Sequence, residues 1–133
     1  MDALRVTRNV NKLFSITARI RSFKHAFAGI WVLLRTQHNA WIHAVATVVV
    51  VVAGIVVGLS VEKWCAIIFA IAGVWVAEAL NTALEFLADA VHPDYHPLVK
   101  KAKDVAAGAV LIAAFAAIIM GALVFYEAIA KIL

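Results

Sequence analysis

One cysteine, two prolines and eight acidic residues are all that 133 residues contain of those types, and each shortage excludes something. Cys65 alone permits no intrachain disulfide, and among Trp64, Ala66 and Ile67 it reads as a packing residue. Both prolines fall in His92-Pro93-Asp94-Tyr95-His96-Pro97, which marks a break between elements and leaves the rest of the chain free to be helical. Charged residues are scarce, at 15%, and are absent between Arg35 and Glu62, between Lys63 and Glu78 and between Asp104 and Glu127. There is no glycine-rich phosphate loop of the Walker type and no protein-kinase catalytic loop, so any nucleotide chemistry must run on another scaffold.

What is present is oil. The chain is 65% hydrophobic with a mean hydropathy of +0.97, the composition of a small polytopic membrane protein. At about 20 residues per crossing, two of the uncharged runs span a bilayer unaided, and the middle one spans only if it continues through its own acids. The expected architecture is all-α and a single domain over residues 1–133, with crossings at 41–59, 64–91 and 103–131 preceded by an amphipathic surface helix at 17–35. Five consecutive valines, Val48 to Val52, would favour a strand in water. In hydrocarbon a helix wins, because it satisfies its own backbone. Gly54 and Gly58 form a small-xxx-small pair suited to close helix contact. In the surface helix, Ile20, Phe23, Phe27, Ile30, Trp31 and Leu34 recur at helical spacing among Arg19, Arg21, Lys24 and His25.

The formal charge of +4 does not point to nucleic acid, because the basic residues cluster beside membrane segments, where anionic headgroups are the simpler partner. Arg5, Arg8, Lys12, Arg19, Arg21, Lys24 and Arg35 precede the first crossing, and Lys100, Lys101 and Lys103 lie in the second connection, against Lys63 alone in the first. The positive-inside rule places the N-terminus and the 92–104 connection in the cytoplasm. The polar opening MDALRVTRNVNK has no signal-peptide hydrophobic region and is expected to be retained.

Within the second crossing Glu78, Asn81, Glu85 and Asp89 are spaced three, four and four. On a helix they share one face, with about 16 Å between the end carboxylates, so one ion cannot bind all four. The stripe grades from deep hydrocarbon at Glu78 to the wet boundary at Asp89. A membrane-dissolved alcohol can reach one end and a water-soluble phosphate donor the other. Insertion of such acids costs roughly +2.5 to +3.5 kcal/mol each at helix centre, which argues against a decorative role. Bundle-interior carboxylates paired with bases, a proton or cation pathway of a small transporter, and a structural membrane module are the competing readings.

Lys103 and Asp104 open the third crossing. Asp104 can cap a helix start, while Lys103 suits contact with a transferred phosphate. His92 and His96 have a metal-like spacing that Pro93 and Pro97 undermine, and His96 with Tyr95 suits a loop anchor or a nucleotide contact.

At these residues the chain resembles the small prokaryotic diacylglycerol kinase family, and especially its undecaprenol kinase branch. The resemblance rests on EALNTALEFLAD at 78–89, PDYHPLVKKAKDVAAGAVLIA at 93–113 and SFKHAFAGI at 22–30. It implies three transmembrane helices with a surface helix, a homotrimer sharing sites between subunits, and transfer of phosphate from ATP with Mg2+ to a lipid alcohol at the bacterial cytoplasmic membrane. Undecaprenol is the first acceptor and diacylglycerol the alternative. By position, Glu78 resembles the catalytic base beside the acceptor hydroxyl and Glu85 a magnesium ligand. Asn81, Asp89, Lys103 and Asp104 resemble the polar shell of the phosphates, and His96 a nucleotide contact. Where the family pattern carries a second magnesium-binding glutamate this chain has Gln37, whose amide oxygen can still coordinate but brings no charge; Ala28 likewise stands where an acid is common.

Overall fold

A computed structural model of the chain describes residues 16–130. They form four helices, α1 (Ile16–Thr36), α2 (His38–Val57), α3 (Val61–Val91) and α4 (Pro97–Ala130). The last three are long and apolar enough to cross a membrane. The chain is therefore an all-α, multi-pass membrane protein with an additional N-terminal helix. Arg5, Arg8 and Lys12 of the basic N-terminal segment, and Lys131 at the expected end of the third crossing, lie outside the described residues.

The valine run sits inside α2, as the backbone argument requires. α2 stops at Gly58, which adopts φ 70 and ψ 54, the left-handed conformation that costs glycine nothing. The Gly58 amide donates to Ile55 O and the Leu59 amide to Gly54 O, a Schellman termination. The chain then reverses through Leu59 and Ser60. The two glycines thus divide their roles: Gly58 makes the turn, and Gly54 lets Trp64 close over it. A Cβ on Gly54 would lie 2.9 Å from Trp64 Cη2 and 3.0 Å from Leu59 Cδ1.

A single extended residue, Gln37 at φ −106 and ψ 118, separates α1 from α2. α1 buries only Leu33 and leaves Phe23, Phe27 and Trp31 exposed. Most other large apolar side chains also face outward, as expected of a chain whose solvent is lipid.

α3 and α4 make the most extensive contact in the fold. Lys63 Nζ donates to Glu127 Oε2 at 2.9 Å at one end of this antiparallel pair, and Lys103 Nζ donates to Asp89 Oδ1 at 2.6 Å at the other. At 1.5 Å per residue these two ion pairs stand about 36–39 Å apart. That interval slightly exceeds the ~30 Å hydrocarbon core, so each pair sits near one membrane boundary.

The helix that carries the third crossing starts ahead of it. α4 begins at Pro97, not near Lys103 or Asp104. Proline is well suited to a first helical position, where no backbone donor is needed. The Leu98 amide donates to His96 Nδ1 at 3.2 Å, so the imidazole takes the capping role. Asp104, expected as a possible cap, lies two turns inside the helix and accepts from Lys100 Nζ at 2.5 Å. Cys65, expected to pack, is exposed.

Candidate functional site

The inward face of α3 changes character along its length. Ile67 and Val74 are buried, and the same face continues through Glu78, Asn81 and Thr82, which are buried too. Glu85 is half-buried and Asp89 exposed. The helix thus packs apolar residues at its Lys63 end and carries polar ones at its Asp89 end. Glu78 lies about 16 Å along the axis from Asp89 and about 22 Å from Lys63, well inside the hydrocarbon interval.

Glu78 is 1% exposed, and neither of its carboxylate oxygens has a hydrogen-bond partner. The same holds for Asn81 Oδ1, Thr82 Oγ1 and His43 Nε2. Buried polar atoms left unpaired are costly, of order 1–3 kcal/mol each, and a cluster of them at one level of a membrane bundle is a sign of a site. The closest basic group across the helix boundary is His43 of α2, with Nε2 at 3.8 Å from Glu78 Oε2, beyond hydrogen-bond length.

One turn along, the Asn81 amide nitrogen donates to Glu85 Oε1 at 3.1 Å. This bond orients Glu85 and aims the free amide oxygen of Asn81 away from it. Farther along, Lys103 crosses from α4 to Asp89, fixing an ammonium at the boundary end of the stripe. The pair is largely solvated, with the side chains 33% and 64% exposed, so its contribution to stability is small, about 0–1 kcal/mol. Its value is in placing a cation.

Gln37, His96 and Asp104 are not hydrogen-bonded to this stripe among the described residues. Gln37 occupies the N-cap position of α2 without capping it through its side chain. The His96 ring lies 4.9 Å from that of His92 and tilted 50° to it, and His92 Nδ1 lies 3.1 Å from Asp94 O. This contact orders the connection, and no third ligating side chain joins it among the described residues.

No group of three or more His, Cys, Asp and Glu side chains among the described residues is placed to cage a metal ion. Glu85 fits a different case. Magnesium favours hard oxygen donors, and it is often held by one or two carboxylates while phosphates and water complete its shell. The half-buried Glu85 carboxylate, oriented by the Asn81 amide nitrogen, is of the kind that supplies one such ligand.

Sequence reasoning passed over His43 and Thr82. Thr82 has no signal in sequence, since threonine is common in membrane helices. His43 did have one: it is the lone ionisable side chain between His38 and Glu62.

Comparison with known proteins adds a second line of observation. The sequence model of the family described as "Prokaryotic diacylglycerol kinase" matches residues 24–125. The "Undecaprenol kinase" of Bacillus subtilis is 40% identical over 125 residues, covering 94% of this chain and 97% of that protein. A "Diacylglycerol kinase" of Synechocystis sp. is 43% identical over 101 residues, covering 75% of this chain and 58% of its own length.

Proposed function

Since the chain belongs to the prokaryotic diacylglycerol kinase family, a family of lipid kinases, we propose that it transfers the γ-phosphoryl group of ATP to undecaprenol at the cytoplasmic face of a bacterial membrane. The observation that carries this reading is the buried Glu78 on the same helix face that ends at the solvated Asp89–Lys103 pair. One wall thereby runs from the depth of the hydrocarbon, the phase in which the acceptor dissolves, to the boundary where water brings the donor.

In this mechanism Glu78 takes the proton from the lipid hydroxyl. The hydroxyl oxygen bonds to the γ-phosphorus as the bond to the bridging oxygen breaks, and ADP leaves. Lys103 offsets negative charge at the phosphates from the boundary end, with Asp89 holding its ammonium in place. Asn81 orients Glu85, and these two, with Gln37 and Asp104 as further candidates, are the residues that would hold a Mg2+–nucleotide complex. When bound, magnesium supplies charge neutralisation and alignment of the phosphates. His96 serves as a nucleotide contact at the start of α4. A homotrimer sharing sites between copies would cover much of the apolar surface that a single copy leaves exposed.

The length and coverage of the match to an undecaprenol kinase support the acceptor choice. The match to a diacylglycerol kinase supports diacylglycerol as the second reading. Purified protein in vesicles, given γ-labelled ATP and each alcohol in turn, distinguishes them. Label in undecaprenyl phosphate, with higher kcat/KM than for phosphatidic acid, is the expected outcome. Preference for diacylglycerol overturns the acceptor, and label in neither lipid overturns the kinase.

A further inference from the structure

His43 lies across α2 from the buried carboxylate, and its register is fixed by a specific lock. Trp75 Nε1 donates to Thr47 Oγ1 at 3.1 Å, and Thr47 Oγ1 donates in turn to His43 O at 2.7 Å. His43 and Thr47 are one turn apart on α2; Trp75 and Glu78 are about one turn apart on α3. Because the two helices run antiparallel, pairing Thr47 with Trp75 necessarily sets His43 opposite Glu78. The imidazole also meets the edge of the Trp75 indole, with ring centroids 6.4 Å apart and an interplanar angle of 68°. The ring is thus held on one side while its Nε2, buried and unpartnered, lies 3.8 Å from the equally unpartnered Glu78 Oε2.

From this geometry we propose that His43 is a positioning residue for Glu78: its Nε2–H donates to one carboxylate oxygen and leaves the other aimed at the acceptor hydroxyl. The inference rests on the lipid-kinase reading and on Glu78 as the base. The present separation exceeds an N–H···O bond by about 0.8 Å. Catalytic pairs are commonly long without substrate and tighten in the reactive complex. A carboxylate free to rotate in hydrocarbon would spend little time with a lone pair on the reacting oxygen, and a displacement of about 1 Å at such a centre costs on the order of 100-fold in rate. Glu85, about two turns away on α3, is the nearest other acid on the same face. As a like charge engaged by Asn81 it cannot donate to Glu78, and His43 is the basic group that lies within 4 Å of that carboxylate among the described residues.

The test compares wild type, His43→Leu, His43→Gln and His43→Asn in vesicles containing undecaprenol, with kcat and KM measured for ATP and lipid and thermal unfolding followed in parallel. Glutamine carries an N–H near the position of Nε2, whereas asparagine carries it near Nδ1. The expected result is a kcat about 100-fold lower in His43→Leu with KM for ATP changed less than about twofold, and recovery of at least about tenfold in His43→Gln. His43→Asn should stay as slow as the leucine variant. If His43→Leu does not fold, the glutamine and asparagine variants carry the comparison, and equal rates in those two overturn the proposal. Retention of about a third or more of kcat in a folded His43→Leu also overturns it. An active wild type with a slow Glu78→Gln and a fast His43→Leu removes His43 alone; a wild type that labels no lipid removes the kinase reading and this inference with it.

Discussion

Lys103 on α4 reaches back across the turn to Asp89 on α3, with 2.6 Å between Nζ and Oδ1. This cross-helix bond ties the only break in the helical hairpin to the polar end of the acidic stripe. It also separates two effects that are often merged, because the pair is too solvated to hold the fold together, whereas the proposed phosphate role depends only on where the ammonium sits.

Replacing Lys103 by methionine should therefore lower phosphate transfer on the order of 100-fold while changing unfolding free energy by less than about 1 kcal/mol. Labelled-phosphate transfer and denaturation in the same detergent check this. Loss of both in parallel would instead make the ion pair structural.

Glu78→Gln removes the proton acceptor but keeps the shape of the side chain. Turnover is expected to fall by about 100-fold or more, with nucleotide affinity nearly unchanged. Equal turnover in the variant rejects Glu78 as the base. The substitution should also raise thermal stability modestly, because a neutral amide costs less than a carboxylate at this depth.

Gln37→Glu adds a negative charge at the start of α2. If Gln37 is part of the metal-holding set, the Mg2+ concentration giving half-maximal rate should fall several-fold, since affinity for hard cations rises with ligand charge. A magnesium titration at saturating ATP and lipid measures the shift; an unchanged midpoint removes Gln37 from the set.

Gly54→Leu should destabilise the chain by about 1–3 kcal/mol, through overpacking. The first atom of the new side chain already meets Trp64 at 2.9 Å and Leu59 at 3.0 Å. Thermal unfolding reads the change. Replacing Trp64 by a smaller residue in the same protein should restore part of the loss, because Trp64 is one of the two side chains that the new atom meets.

The crossings and the stripe were legible because both depend on local pattern. Uncharged length identifies a membrane helix, and the spacing of Glu78, Asn81, Glu85 and Asp89 places them on one face whatever packs against it. The partners of that face were less legible. Lys103 stands out in sequence as a cation near acids, yet its bond to Asp89 depends on how a five-residue connection turns, and no periodicity encodes that. His43 escaped because it carries no formal charge and sits in an apolar run, while its meaning comes from a Thr47–Trp75 contact between residues 28 apart. The start of α4 has a local cause: proline breaks a helix interior but initiates in the first turn, and His96 supplies the cap.

The two ion pairs at opposite ends of the α3–α4 hairpin mark its wet-to-wet length, which the helical rise sets, so the hairpin acts as a gauge of the bilayer around it. Lipids with shorter tails oblige such a rod to lean, at a cost of fractions of a kcal/mol per Å of mismatch. Leaning carries Glu78 sideways relative to the headgroup plane while Asp89 stays pinned there. Acyl-chain length in the host membrane therefore sets how well the two ends of the stripe align with their respective phases.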